Sequence, residues 1–140
     1  MYLNDEKIVG CETFWVVINT KTRRPDNLAL PHAHFEKFDT DSISKPIQKI
    51  NIPEEFTFKN ERKILLSDID IVNHANNVKY LEWCLDVTNV ETVLSQKIKT
   101  LNLNYLQELN YNDAIEIHHT TTSFLITKEG KSCFALDIEM

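Results

Sequence analysis

The strongest constraint on the fold is one long helical pattern followed by segments that alternate strictly. Residues 77–96 carry apolar side chains at steps of three and four, which predicts a single amphipathic helix. The later segments 100–105, 115–121 and 133–140 alternate polar and apolar residues, as antiparallel strands with one covered face do. A sheet of that kind covers its apolar face by curling around the helix. The sequence therefore predicts an α+β domain, an antiparallel sheet wrapped around one long central helix.

The helical pattern also predicts which side chains face the sheet. The apolar positions at these steps are Val78, Leu81, Cys84, Leu85, Val90, Val93 and Leu94. The polar stripe on the other side consists of Lys79, Glu82, Asp86 and Asn89. A further strand is predicted at residues 59–66, and the sequence Lys-Glu-Gly-Lys at 128–131 predicts a hairpin turn.

The N-terminal part of the chain is organised differently. Residues 8–19 are rich in β-branched and aromatic side chains and predict one buried strand, which ends at a polar turn containing Pro25. Residues 26–56 hold three prolines and show little periodicity. A loop of this length is unusual inside one compact domain, so it predicts a connector between two units.

Composition excludes several classes of protein. A chain of 140 residues with 42% hydrophobic residues can form one core, which excludes a disordered chain. The net charge of −6 and the scattered cations do not favour nucleic acid, which binds a concentrated basic face. Three cysteines without metal-like spacing predict buried thiols in a reducing compartment. With no signal peptide and no membrane-length apolar run, we expect a cytoplasmic protein without a membrane span.

Polar reactive groups are concentrated just before the predicted helix. Ten residues hold two carboxylates, one imidazole and three amides: Asp68, Asp70, Asn73, His74, Asn76 and Asn77. A helix N-terminus also supplies free backbone N–H groups and the positive end of the helix dipole. This combination is suited to attack on a carbonyl carbon and to stabilisation of the oxyanion that forms.

These motifs resemble those of the acyl-acyl carrier protein (acyl-ACP) thioesterase family. The run 68–83, with its Asp-Ile-Asp, His and Asn-Asn-Val-Lys-Tyr elements and a Trp, is similar to the second of that family's two hot-dog domains. The Tyr-Leu-Gln-Glu run at 105–108, followed by Asp113, agrees with the next strand of that domain. The Phe-Trp-Val-Val-Ile-Asn run at 14–19, followed by 22–25, is similar to the last strand of the first domain.

The resemblance implies a fold and a division of the chain. The fold is the hot-dog fold, an antiparallel sheet around one central helix. Residues 56–140 would form the C-terminal hot-dog domain, and residues 1–27 would contain the terminal strand of a mostly absent first domain. Residues 28–55 would be the linker between them.

The implied reaction is thioester hydrolysis, and three residues are the catalytic candidates. Asp70 is the first, as general base or as direct nucleophile, although an aspartate here is also a common helix cap. His74 could orient water, steady the carboxylate or bind the thioester carbonyl. The resemblance makes Glu108 a second carboxylate of the site that activates water. Asp68 is expected to bind loop amides.

The substrate-binding candidates lie at the helix start. Asn76 and Asn77 are expected to cap the helix, and their backbone N–H groups or that of Val78 could bind the thioester oxygen. One position departs from the family, because Val72 stands where the family usually has Asn, and Asn73 has the wrong phase to replace it. Loss of such a polar group costs a factor of about 10²–10³ in rate when it acts on the transition state.

Other kinds of site are not favoured by the sequence. The pair His32 and His34 lacks further ligands at metal spacing, and the adjacent His118 and His119 would point to opposite faces of a strand. With two glycines in the chain, no Gly-flanked serine nucleophile is present. We therefore expect neither a metal nor another cofactor.

Three functions remain open at this point. The first is an acyl-ACP thioesterase of fatty acid biosynthesis, with the acyl-phosphopantetheine arm of acyl carrier protein as its substrate. The second is a single hot-dog acyl-CoA thioesterase, and the third is a truncated, catalytically silent module for binding or assembly. A solitary hot-dog unit would leave an open sheet edge and half a site, so we also expect a homodimer.

Overall fold

The computed structural model describes most of the C-terminal part of the chain and fewer residues before it. The described residues are 1–14, 16–17, 19, 21–22, 24–25, 41–45, 49–95 and 97–140. The chain divides into two compact units, residues 1–48 and residues 49–140.

Among the described residues of the first unit, two strands form a short hairpin. Its strands are β1 (Tyr2–Leu3) and β2 (Glu6–Lys7), which pair antiparallel. The strand predicted at 8–19 is wrong for the described part of that range, where no residue is in a strand. A strand needs a neighbouring strand for its N–H and C=O groups, and the described residues of 8–19 are not part of such a ladder. Most of the predicted linker, together with His32 and His34, lies outside the described residues.

The second unit contains the elements that carry the site. In chain order they are β3 (Phe58–Lys63), a 3₁₀ turn (Leu66–Asp68), α1 (Asn77–Asp86), α2 (Val90–Leu94), β4 (Thr100–Tyr105), β5 (Ala114–His119), β6 (Ser123–Lys128) and β7 (Lys131–Glu139). The five strands form one antiparallel sheet in the order β3-β5-β6-β7-β4.

Helix α1 packs on this sheet and closes the core. Its buried side chains Tyr80, Trp83 and Cys84 belong to the same apolar cluster as Ile117 on β5 and Phe134 on β7. One helix covered by a five-stranded antiparallel sheet is the predicted α+β hot-dog arrangement, which is confirmed. No helix among the described residues is long and apolar enough to cross a membrane.

The predicted single helix is interrupted after ten residues. Helix α1 ends at Asp86, and α2 starts at Val90. In between, the Thr88 hydroxyl donates to the Cys84 carbonyl at 2.7 Å, and the Asn89 side chain caps α2 by accepting from the Glu91 N–H at 2.8 Å. Thr and Asn side chains compete in this way with regular helical bonds, which explains the break.

The inward face of α1 also differs from the prediction. Val78 on α1 and Val90 and Leu94 on α2 are exposed, although the pattern placed them inward. Two other predicted inward positions are confirmed, because Cys84 is buried and Leu81 packs against the core. The core face consists of Tyr80, Trp83, Cys84 and the partly buried Val87, which follow the i, i+3, i+4, i+7 spacing. The two large aromatic side chains bury more surface than the valines would, and they set the rotation of the helix.

One strand was not among those predicted. Strand β6 joins β5 to β7, and its Phe124 and Ile126 are fully buried. Its end is the predicted hairpin turn, which is confirmed, because Lys128 pairs with Lys131. Both central turn residues have positive φ, Glu129 at 51° and Gly130 at 74°, and glycine adopts this conformation without steric cost.

Candidate active site

Asp70 organises the tight loop that leads into α1. Its backbone N–H donates to the His74 carbonyl at 2.9 Å, and its carbonyl accepts from the Asn73 N–H at 3.2 Å. One side-chain oxygen, Oδ1, accepts from the N–H groups of Val72 at 2.9 Å and His74 at 3.3 Å. Asn73 has a φ of 65°, a left-handed conformation that asparagine tolerates. The Asp70 carboxylate therefore holds the loop that presents His74.

Asp68 has the structural role that the sequence predicted for it. Its carboxylate is 3% exposed and accepts from the Leu65 N–H at 2.8 Å. Arg62 lies beside it, with a guanidinium nitrogen 3.5 Å from Oδ1. The Asp68 carbonyl accepts from the Asn76 N–H at 2.8 Å. These contacts fix the position at which α1 begins.

The start of α1 leaves one of the three candidate amides open. The Asn76 N–H is bonded to Asp68, and the Asn76 side chain caps the helix by accepting from the Val78 N–H at 3.0 Å. The Lys79 N–H donates to the Asn76 carbonyl at 2.8 Å. Within the described part of the chain, the Asn77 N–H has no acceptor. It is therefore the amide that could receive a negatively charged oxygen.

Glu108 meets His74 at this end of the helix. Its Oε2 lies 3.5 Å from His74 Nε2, with the imidazole 30% and the carboxylate 48% exposed. The segment that carries Glu108 follows β4 and is attached to β7, because the N–H groups of Leu106 and Gln107 both donate to the Cys133 carbonyl. The two candidate side chains thus come together from separate segments of the chain. Both are partly exposed, so a reactant can reach them.

Leu109 connects these two segments. Its carbonyl accepts from the Ala75 N–H at 2.8 Å, and its own N–H donates to the Tyr80 hydroxyl at 3.0 Å. At the end of β4, the Tyr105 hydroxyl donates to the Asn77 carbonyl at 2.9 Å, which ties this strand to the start of α1.

The cysteine of helix α1 is not equipped to act as a nucleophile. Cys84 is completely buried, and burial raises the pKa of its thiol from 9.0 to about 12. Burial likewise raises the pKa of the Tyr80 hydroxyl to about 12. Both groups are therefore neutral at physiological pH, and the titratable groups left at the helix start are Asp70, His74 and Glu108.

Val72 is found on the outside of the loop. Its side chain is 62% exposed, and that of Ile71 is fully exposed. Only the backbone of Val72 takes part in the loop, through the bond from its N–H to Asp70. At the position where the family usually has an amide, this chain therefore presents an apolar side chain to solvent.

The remaining described histidines belong to the sheet. His118 and His119 point to opposite faces, as predicted: His118 Nε2 lies 3.2 Å from Glu116 Oε2, whereas the buried His119 lies 3.0 Å from Asn60 Oδ1. Among the described residues, no three side chains of the metal-binding types are grouped.

A surface cleft of about 480 Å³ opens at the other end of α1. It is bordered by Phe58, Asn60 and His119 on the sheet and by residues 86–89 after the helix. A ten-residue helix is about 15 Å long, so this cleft is separated from His74 by the length of α1. It therefore contributes nothing to the candidate active site.

Comparison with known proteins identifies the family of the chain. Residues 52–139 match the family model of the acyl-ACP thioesterase C-terminal domain. The chain belongs to this family.

Plant acyl-ACP thioesterases are among its relatives. The chloroplastic palmitoyl-acyl carrier protein thioesterase of Cuphea hookeriana is 31% identical over 121 residues, which cover 79% of this chain and 28% of that protein. The chloroplastic oleoyl-acyl carrier protein thioesterase of Coriandrum sativum is 25% identical over 132 residues, covering 82% of this chain and 34% of that protein. The chain thus spans about a third of the length of these relatives.

Solved structures of the same kind share the fold. An acyl-ACP thioesterase from Bacteroides thetaiotaomicron superposes with a TM-score of 0.68 at 23% identity, covering 86% of this chain and 51% of that one. A putative oleoyl thioesterase from Lactobacillus plantarum gives a TM-score of 0.59 at 19% identity, covering 86% of this chain and 52% of that one. At these identities the likeness concerns the fold alone.

The sequence pointed to Asp70, His74 and Glu108 as candidates, but it did not indicate the contacts that hold their segments together. Tyr80 was noted only as part of the Asn-Asn-Val-Lys-Tyr run, and no role was predicted for Leu109. Two features of the sequence could have indicated this contact. Tyr80 is an aromatic residue at a core position of the helix, and Leu109 is an apolar residue directly after Glu108.

Proposed function

We propose that this chain provides the hydrolytic site of an acyl-ACP thioesterase, which hydrolyses fatty acyl thioesters in fatty acid biosynthesis. The observation that carries the proposal is the His74–Glu108 pair, 3.5 Å apart. The open N–H of Asn77 follows His74 three residues later, at the start of α1. Membership of the acyl-ACP thioesterase family supports the reaction class.

Each group has a defined task in this reaction. Glu108, assisted by His74, accepts a proton from water while the water oxygen attacks the thioester carbon. The carbonyl oxygen becomes an oxyanion and is bound by the Asn77 N–H at the positive end of α1. The C–S bond then breaks, and the thiolate leaves with little need for acid assistance.

We assign Asp70 a supporting task. Two N–H groups donate to its Oδ1, so this carboxylate is engaged in binding the backbone of the loop. Asp70 therefore acts by holding the loop that carries His74, rather than as nucleophile.

The proposed partner is acyl carrier protein, which delivers the acyl chain on its phosphopantetheine arm. The names of the plant relatives support this choice over acyl-CoA. One observation favours a different function, a catalytically silent module. Val72 places an exposed apolar side chain where the resemblance implies an amide.

We further propose that the chain forms a homodimer through strand β4. Both β3 and β4 are edge strands of the sheet. Strand β3 carries four charged residues, which protect an edge against pairing, whereas β4 carries none. On β4, Leu101 is 40% and Tyr105 is 47% exposed, so a second copy would cover apolar surface there.

The proposed location is the cytoplasm. Its support is that Cys11, Cys84 and Cys133 are all free thiols, as in a reducing compartment. The plant relatives are named as chloroplastic proteins, which is a statement about those proteins.

The test is thiol release from acyl-ACP and from acyl-CoA. The wild type is compared with Glu108→Gln, which keeps the size of the side chain and removes the base, and with Glu91→Gln, the same change on exposed α2. We expect Glu108→Gln to lose activity by about 10²-fold or more and Glu91→Gln to keep it. A wild type without activity on either substrate would support the silent module, and higher activity on acyl-CoA would redirect the proposal to that substrate.

A further inference from the structure

We propose that Tyr80 is a positioning residue, whose buried hydroxyl holds the Glu108 segment against α1 and thereby sets the distance between Glu108 and His74. The consequence for catalysis rests on the function proposed above. The positioning itself rests on contacts that do not depend on that function.

The ring of Tyr80 is held firmly. The side chain is 2% exposed and lies in an aromatic cluster, with ring centroids 5.3 Å from Trp83, 5.5 Å from Phe134 and 5.6 Å from Tyr105. Such packing fixes both side-chain torsions, so the hydroxyl has a defined place. It accepts a hydrogen bond from the Leu109 N–H at 3.0 Å.

Leu109 transmits this position to the catalytic pair. It is completely buried, and its carbonyl accepts from the Ala75 N–H at 2.8 Å. Ala75 directly follows His74, and Leu109 directly follows Glu108. One backbone hydrogen bond therefore links the neighbours of both functional residues, and the Tyr80 hydroxyl anchors the other side of Leu109.

The geometry of the pair makes it sensitive to this anchor. The separation of 3.5 Å between His74 Nε2 and Glu108 Oε2 is at the outer limit of a hydrogen bond. Without the Tyr80 oxygen, the Leu109 N–H would be buried without an acceptor, and the segment would shift to find one. A shift of about 1 Å at a catalytic group can cost 10²-fold in rate.

The experiment compares Tyr80→Phe with Tyr111→Phe. Both variants lose one phenolic hydroxyl, but Tyr111 is exposed, and no hydrogen bond of its hydroxyl is found within the described residues. We expect Tyr80→Phe to lower kcat for acyl thioester hydrolysis by about tenfold with KM within twofold, because the base moves while the acyl site stays. The control should change neither constant.

A second measurement decides the proposal without any activity. The ¹⁵N signals of the His74 ring are recorded with and without Glu108→Gln, in the wild-type and in the Tyr80→Phe background. We expect Glu108→Gln to shift these signals in the wild type, and to shift them by less than half as much when Tyr80 is Phe. Equal shifts in both backgrounds would overturn the positioning role, whereas a wild type that shows the coupling but releases no thiol would overturn only the proposed function.

The wild type alone provides a third measurement, which holds even if the variant does not fold. The Leu109 amide, although outside any strand or helix, should exchange its hydrogen slowly, at a rate comparable to core amides of β7. Fast exchange of this amide would contradict the anchor.

Discussion

At the scale of single residues, the candidate site separates the tasks of three carboxylates. Asp68 and Asp70 accept backbone N–H groups and shape the loop before α1. Glu108 arrives from another segment and meets His74. The contact with His74 is the reason to assign Glu108 the task of proton acceptor.

This assignment predicts different outcomes for two substitutions of Asp70. Asp70→Asn keeps an oxygen acceptor at Oδ1, so the loop should remain and activity should fall by less than about tenfold. Asp70→Ala removes the acceptor, and we expect a loss of about 1 kcal/mol in unfolding free energy, as for other side chains that cap backbone N–H groups. Urea denaturation and steady-state kinetics measure the two effects. If Asp70→Asn is as inactive as Asp70→Ala, Asp70 is itself the base or nucleophile.

A second residue-scale prediction concerns Val72. Replacing it by Asn, the residue usual in the family, should raise kcat/KM for acyl thioesters by about tenfold, because an amide at this loop can help to bind the reacting groups. Ile71→Asn is the control, since it introduces the same amide at the neighbouring, fully exposed position. Equal kinetics for Val72→Asn and the wild type would show that position 72 has no catalytic task.

The sequence predicted the reactive side chains of the candidate site, but not the hydrogen bonds that hold their segments in place. Asp68 was correctly predicted to bind loop amides, because its carboxylate accepts from the Leu65 N–H. The bond between Tyr80 and Leu109 joins residues that are 29 positions apart. The periodicity of apolar residues describes one helix or strand at a time. It therefore cannot predict a contact between a helix and a distant loop.

At the scale of elements, α1 is the part that carries both the core and the site. Its N-terminus presents the Asn77 N–H, and its middle buries Tyr80, Trp83 and Cys84. The prediction of one helix over 77–96 was wrong because it considered only the spacing of apolar residues. That spacing does not show that the Thr88 hydroxyl donates to the Cys84 carbonyl or that the Asn89 side chain caps a second helix.

The buried thiol of α1 predicts a pH dependence of stability. Burial raises the pKa of Cys84 from 9.0 to about 12, so between these values the unfolded chain has lost a proton that the folded chain keeps. The stability contributed by this group is complete below pH 9 and is lost as the pH rises toward 12. The loss is about 1.4 kcal/mol per pH unit while only the unfolded form is ionised.

Cys84→Ala isolates this effect. Burial also raises the pKa of Tyr80 and Cys133, but both residues remain in the variant. Urea denaturation at several pH values between 8 and 11 should therefore give a shallower fall of unfolding free energy for Cys84→Ala than for the wild type. Parallel slopes would show that the Cys84 thiol ionises as easily in the folded protein as in the unfolded chain.

At the scale of the whole molecule, the order and periodicity of the elements were enough to predict the hot-dog fold. Alternation gave three of the five strands, and the hairpin turn marked the strand that was overlooked, β6. The segment 8–19 shows the limit of this approach. Its composition is that of a strand, but a strand forms only where another strand pairs with it, and composition does not reveal the partner.

The proposed dimer is tested at this scale by light scattering after size exclusion. We expect a particle of about twice the chain mass of 16.3 kDa. Leu101→Lys should produce monomers, because a charge on the edge of β4 opposes pairing. Leu66→Lys is the control, as Leu66 is equally apolar and 74% exposed but lies outside the sheet. A stable wild-type monomer would rule out the dimer.

The central claim is that His74 and Glu108 act as one hydrolytic unit, and a double-mutant cycle of thiol release from acyl-ACP tests it most directly. His74→Ala, Glu108→Gln and the double variant are compared with the wild type. The account predicts that each single variant loses about 10²-fold or more and that the double variant is hardly worse than either. Losses that multiply in the double variant, or single variants as active as the wild type, would contradict the claim.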